Sequence, residues 1–213
     1  MPKINFNSLR RVKLADTLGF DCQRCDSCCT GDIMLTPLDL FKISCFLGVS
    51  ERDIGGKVCR IMAHGHIHLP MLHLNGEPVC IFRHPDGCII NHIKPFVCRL
   101  YPLGRGYDEP IPNGISKLFG KTFYYVQPVP CPGLKADKQT PVTAFVEDGL
   151  ATTVSDSLSE LIELLFPIPI PVLNDGVLTT IINLLYYDYD HDSAFLPQFE
   201  KRVASVKTYI RQL

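Results

Sequence analysis

The stretch Cys22-Gln23-Arg24-Cys25-Asp26-Ser27-Cys28-Cys29 places four thiols within eight positions. A CxxC loop turns tightly enough to aim two sulfurs at one metal, and its backbone N–H groups point inward at the thiolates. Extension to CxxCxxC offers three ligands from one loop, as in bacterial iron–sulfur proteins, and leaves the fourth to a distant segment. The residues between the sulfurs are polar, so this is no apolar segment in which cysteine serves as a small hydrophobe. Reading outward, Cys80 in PVCIF, Cys88 in PDGCII, Cys98 in KPFVCRLYP and Cys131 in VPCPG bring the candidate metal ligands to eight. Cys45 falls at helical spacing with Leu38, Phe41 and Leu47 and is expected in the core. Cys59 has no ligand pattern around it and is read the same way.

The metal and the number of centres stay open at this stage. Eight thiolates make two four-ligand sets, and neighbouring Cys28 and Cys29 start in different directions. Two centres sharing the loop is one arrangement; one centre with spare redox-active thiols is the other. Zinc takes four thiolates in a closed tetrahedron, and a [4Fe–4S] cluster takes four as well. The CxxCxxC spacing favours iron–sulfur, since zinc ribbons use separated CxxC pairs. Either centre is negatively charged, so Arg24 and Arg99 are candidates to lie against the bound group and donate N–H···S bonds. The plainer alternative is a pair of solvent-facing arginines.

Composition bounds the rest. The chain has 213 residues, 46% hydrophobic and 20% charged, with ten cysteines and no Trp. That is ordinary globular composition and excludes long-range disorder. Lys+Arg 21 against Asp+Glu 22 gives a formal charge of −1, without the basic excess expected of a nucleic-acid partner. The N-terminus MPKINFNSLRRVKLADTLGF shows no apolar h-region or cleavage site. The longest apolar stretch, Leu161 to Leu173, is broken by Glu163 and by prolines, so no membrane span is expected. The chain therefore reads as cytoplasmic, where clustered thiols stay reduced and bind metal or react.

Local signals place the elements. Thr36-Pro37-Leu38-Asp39 predicts a helix start, with Thr36 as cap, Pro37 in the first turn and Asp39 reaching back; Gly48 ends it. Ser50 starts a second, short helix weakened by Gly55-Gly56. Asn75-Gly76 predicts a hairpin between Ile67–Leu74 and Val79–Phe82. Thr122–Val129 reads as a strand. Residues 1–20 read as irregular or a short helix. Beyond 136, Thr140-Pro141, Ser157 and Asn174 read as helix starts, and Leu196, Phe199, Val203, Val206 and Ile210 recur at helical spacing. These helices are expected to pack a core, with a protein-partner surface as the alternative. The whole predicts an α+β, mainly helical fold. A small metal-organised cysteine-cluster domain with a short β-hairpin covers 1–135, and a helical C-terminal extension, 136–213, packs on it.

The ordered set CxxCxxCC (22–29), Thr36-Pro37-x-Asp39, Cys80-x-Phe82, Cys88, Lys94-Pro95-x-x-Cys98-Arg99-x-Tyr101-Pro102 and Cys131-Pro132-Gly133 resembles the YkgJ-type cysteine-cluster family over roughly residues 20–135. The resemblance implies chelation of zinc or iron by these cysteines and no settled reaction. The family pattern often has Arg-Pro where this chain has Lys94-Pro95, and the helical tail matches no motif of it.

Three functional classes follow. The first is a cluster- or metal-binding protein in electron transfer or in cluster and metal handling. The second is an enzyme using the cluster or a thiolate for redox or modification chemistry. The third is an interaction module with structural zinc. No nucleotide-binding glycine loop or nucleophile elbow accompanies the cysteines. His64, His66 and His68 would share one face of a strand, where exposed imidazoles are the plainer reading than a relay or metal site.

Overall fold

The computed structural model describes residues 9–25, 28–29, 33–64, 67–74, 79–107, 122–146 and 149–213. Among them run ten strands and seven α-helices. The strands are β1 (Arg11–Val12), β2 (Thr17–Gly19), β3 (Ile33–Leu35), β4 (Cys59–His64), β5 (Ile67–Leu74), β6 (Arg83–His84), β7 (Gly87–Cys88), β8 (Leu103–Tyr107), β9 (Thr122–Val126) and β10 (Gln139–Pro141). The helices are α1 (Pro37–Leu47), α2 (Glu51–Val58), α3 (Phe96–Leu100), α4 (Thr143–Val146), α5 (Gly149–Leu165), α6 (Asp175–Tyr186) and α7 (Phe195–Ile210). The chain divides into two compact units, 1–28 with 97–147 and 29–96 with 148–213.

In the unit 29–96 with 148–213, the predicted start of α1 is present in full. Asp39 N–H donates to Thr36 Oγ1 at 3.2 Å, and Thr36 N–H donates to Asp39 Oδ2 at 2.8 Å. Gly48, at φ 66°, ends the helix in the left-handed region that glycine enters without a Cβ penalty. Helix α2 starts at its Ser50 cap and runs through both glycines. A Cβ at Gly55 would stand 2.5 Å from the Tyr187 hydroxyl, so glycine lets that ring lie against the helix.

Strands β3, β5 and β4 form an antiparallel sheet in that order, with β5 in the centre. Leu69, Met71, Leu72, His73 and Leu74 are all buried, because β5 is covered on both faces. Helices α5 and α6 pack on it, and α7 packs on both of them. Their apolar stripes are inside: Val154, Leu158 and Leu161; Val177, Ile181 and Leu185; Phe199, Val203 and Val206. Core packing thus accounts for the tail helices. Helix α5 begins at Gly149, so Ser157 lies inside it rather than at its start.

The hairpin is displaced from its predicted place. The partner of β5 is the preceding β4, whereas Val79–Phe82 forms no strand. Asn75-Gly76 lies outside the described residues, as do His66 and the side chains of His64 and His68.

In the unit 1–28 with 97–147, β1, β9 and β8 form one antiparallel sheet and β2 pairs with β10. Val12, Leu18, Leu100, Leu103, Tyr124, Val142 and Phe145 make its core. The predicted strand at 122–129 is present but ends at Val126, and Thr140-Pro141 belongs to β10 rather than to a helix.

These pairings correct the expected fold class. The chain is a mixed α+β protein with four small sheets, not a mainly helical one. Strands β1 and β2 occupy the segment read as irregular or helical. Each is too short to show an alternation, and each partner lies over a hundred residues away, at Tyr125 for Arg11 and Thr140 for Leu18. No helix among the described residues is long and apolar enough to cross a membrane.

Candidate metal centre

Strand β2 delivers the chain to the cysteine loop. Phe20 N–H donates to the Lys138 carbonyl at 2.9 Å, and Asp21 N–H donates to the Gly133 carbonyl at 3.1 Å. These bonds hold the residues before Cys22 against the Cys131-Pro132-Gly133 turn. The approach is close: a Cβ at Gly133 would stand 2.5 Å from the Asp21 carbonyl oxygen. The turn is itself closed by Leu134 N–H on the Cys131 carbonyl at 3.1 Å. Two segments over a hundred residues apart in sequence thus meet through their backbones beside Cys22 and Cys131.

Within the loop, Arg24 has φ 51°, a left-handed conformation uncommon outside glycine. Such strain is found where surrounding structure requires it, often at functional sites. The Arg24 side chain is exposed.

Tyr101 reports on the sulfurs around it. Its phenol is pushed up to about 12, first by burial and then by negative charge at Cys131, Cys28 and Cys25. Three of the predicted ligands therefore act on one hydroxyl. Tyr101 continues α3, with its N–H on the Val97 carbonyl at 3.3 Å, and that helix carries Cys98 and Arg99. The Nε of Arg99 is buried.

The remaining predicted ligands belong to the other unit. Cys80 is buried, and its N–H donates to the Cys29 carbonyl at 2.8 Å. The Cys80 carbonyl accepts from Arg83 N–H at 2.9 Å, and Arg83 pairs with Cys88 across β6 and β7. The eight predicted ligands thus fall into Cys22, Cys25, Cys28, Cys98 and Cys131 in one unit and Cys29, Cys80 and Cys88 in the other. The division passes between the adjacent Cys28 and Cys29.

A donor set of thiols suits soft metal ions and clusters. Ligand distances are a separate matter: among the described residues, no group of three or more Cys, His, Asp or Glu side chains stands close enough to hold a metal ion. The donor type would suit a thiolate-bound group, and the described side chains do not form its coordination set.

Cys45 departs from its expected place. It is exposed on α1, while Leu38, Leu40 and Ile43 fill the buried side. Cys59 is part-buried, and burial pushes its thiol up to about 12, so it holds its proton and makes a poor ligand.

One bond of Asp39 escapes a motif reading. The Thr-Pro-x-Asp element reads as a helix cap, but its carboxylate also accepts from the Phe96 amide at 2.9 Å. The cap uses one oxygen and leaves the other for a partner. Burial pushes the Asp39 carboxyl up, against hydrogen bonds from Thr36 and Phe96 that favour its charged form. The chain matches no family model, and comparison with curated proteins and with solved structures finds no match.

Proposed function

We propose that this chain is a metal-chelating cysteine-cluster protein of the YkgJ type, which holds an iron–sulfur cluster through thiolates and acts in electron transfer or in cluster handling. The observation that carries the reading is the Asp21 N–H bond to the Gly133 carbonyl at 3.1 Å, which holds the start of the CxxCxxCC loop against the turn that carries Cys131. Further support comes from the left-handed Arg24 inside the CxxC loop. Four of Cys22, Cys25, Cys28, Cys98 and Cys131 would hold one group, and Cys29, Cys80 and Cys88 would contribute to a second. When bound, a cluster supplies a one-electron redox centre. Arg99 and Arg24 offset the charge of the thiolates, and a reducing compartment such as the cytoplasm keeps the sulfurs available.

Anaerobic purification with elemental analysis and a visible spectrum tests this. The expected protein is brown, contains iron and acid-labile sulfide, and bleaches with dithionite. Colourless protein with stoichiometric zinc would replace the redox role with a structural one. Protein that takes up neither metal would end the chelation reading.

A further inference from the structure

The connector between α6 and α7, residues 187–194, is fastened to the first two residues of α2. Arg52 grips Asp188 from two sides, Nε on Oδ1 at 2.7 Å and Nη2 on Oδ2 at 2.6 Å. The neighbouring Glu51 meets His191, whose Nε2 stands 2.7 Å from Glu51 Oε1. The first pair is exposed on both sides. In the second, Glu51 is 2% exposed, while the His191 side chain keeps 32% of its surface in water.

A carboxylate taken out of water needs donors and, when charged, a countercharge. Besides His191, Glu51 meets the hydroxyl of Ser44 at 3.0 Å, from a fully buried position on α1. Ser44 has one hydrogen to give, and the Phe41 carbonyl at 2.9 Å is placed to take it as well. The Ser44 oxygen also lies 3.1 Å from His191 Nε2. The imidazole meets the Phe41 ring edge-on, with centroids 5.5 Å apart. One buried carboxyl oxygen thus joins α1, α2 and the connector, and the countercharge comes from a ring that water can reach.

The other titratable groups here hold their state between about pH 5.5 and 8, where histidine ordinarily changes charge. Burial first, and Glu51 second, push the Cys45 thiol up. Burial pushes the Tyr189 phenol up, against Arg202 and with Glu51. Asp190 is held low by Ser193 first, with His191 a lesser cause. The hydrogen bond from Arg52 holds Asp188 low. On α1 and α2 the remaining charges act elsewhere, Lys42 on Asp39 and Lys57 on Asp53.

We propose that His191 is a proton-operated latch on the α6–α7 connector. With both nitrogens protonated, the ring donates to Glu51, supplies its countercharge and holds the connector against α1 and α2. With one proton lost to water, the ring serves Glu51 only in the Nε2–H tautomer, and in the other a lone pair faces the carboxylate. The hold is strongest at the acidic end of the interval and weakens as pH rises through the histidine range. The Arg52–Asp188 pair keeps its charges throughout and leaves the loosened connector tethered.

Urea melts at pH 5.5 and pH 8 test this with His191→Gln, which keeps a neutral donor and cannot take the charge. The variant's unfolding constant relative to wild type should be about 1.5–5-fold larger at pH 5.5 than at pH 8, the size of a partly exposed ion pair. The same comparison made with Glu51→Gln in both chains should give equal ratios at the two pH values. A ratio independent of pH in the wild-type background, or one still dependent on pH without the Glu51 carboxylate, overturns the latch. Should Glu51→Gln not fold, hydrogen exchange decides. Protection of the Asp190 and Asp192 amides, corrected for intrinsic exchange, should fall relative to α5 between pH 5.5 and 8 in the wild type and not in His191→Gln. Equal behaviour of the two proteins overturns the proposal.

Discussion

A thiol's value as a ligand depends on how readily it gives up its proton, and the cysteines here differ in that respect. Cys59 starts β4, where burial pushes its thiol up to about 12. A group whose folded pKa is raised contributes stability that is complete below the unfolded value and lost as pH climbs through the folded one. Unfolding free energy should therefore fall between about pH 9 and 12, and Cys59→Ala should flatten that fall, measured by urea melts across the range. Cys45 gives a contrasting case. Exposed on α1, it should tolerate Ala within about 0.5 kcal/mol, as surface positions do. Metal content should be unchanged in Cys45→Ala and lost in Cys25→Ala. Metal loss from the former with retention in the latter would reverse the ligand assignment.

At the scale of the element, α2 offers a comparison between adjacent glycines. Gly55 faces Tyr187 at a distance that no Cβ tolerates, whereas Gly56 has nothing within 4 Å of a Cβ. Gly55→Ala should destabilise by about 1–3 kcal/mol through overpacking. Gly56→Ala should stabilise by about 0.5–1 kcal/mol through helix propensity. Thermal melts of the two variants check both signs, and equal effects would show that Tyr187 yields to the added methyl group. Composition alone marks both residues as helix-weakening, and only the packed ring separates them. The same physics decided which elements were legible in the sequence. The Thr36 cap, the Gly48 stop and the Asn174 start depend on residues within one turn, so spacing exposes them. The β1–β9 and β2–β10 pairings depend on partners far along the chain, and two or three residues carry no pattern. The cysteine set stands out in the sequence because the chelation proposed here would demand such a spacing. The Asp39–Phe96 bond was not, because it joins residues 57 apart in sequence.

At the scale of the whole molecule, charge and chain order both depart from what the average suggests. Residues 1–28 and 97–147 hold 11 Lys+Arg and 7 Asp+Glu, and the remainder holds 10 and 15. The near-neutral total hides a basic unit, the one that contains Cys22, Cys25, Cys28, Cys98 and Cys131. Under the chelation proposed here, basic side chains there would lower the electrostatic cost of gathering thiolates. Chain order sets a limit on dissection. Strand β5 is covered by α5 and α6, so a chain stopped at 147 would expose Leu69, Leu72 and Leu74. Such a truncation, although it keeps all ten cysteines, should aggregate or remain unfolded by circular dichroism. A cooperative melt at the wild-type temperature would refute this.

Because each unit joins an early segment to a late one, order of synthesis matters. The 22–29 loop leaves the ribosome about a hundred residues before Cys131, a lag of roughly 5–20 s at ordinary elongation rates. During that interval the nascent chain presents exposed, closely spaced thiols with no turn against which to close. An adventitious metal or an oxidant met at that moment competes with assembly, so faithful maturation of this protein is partly a matter of timing.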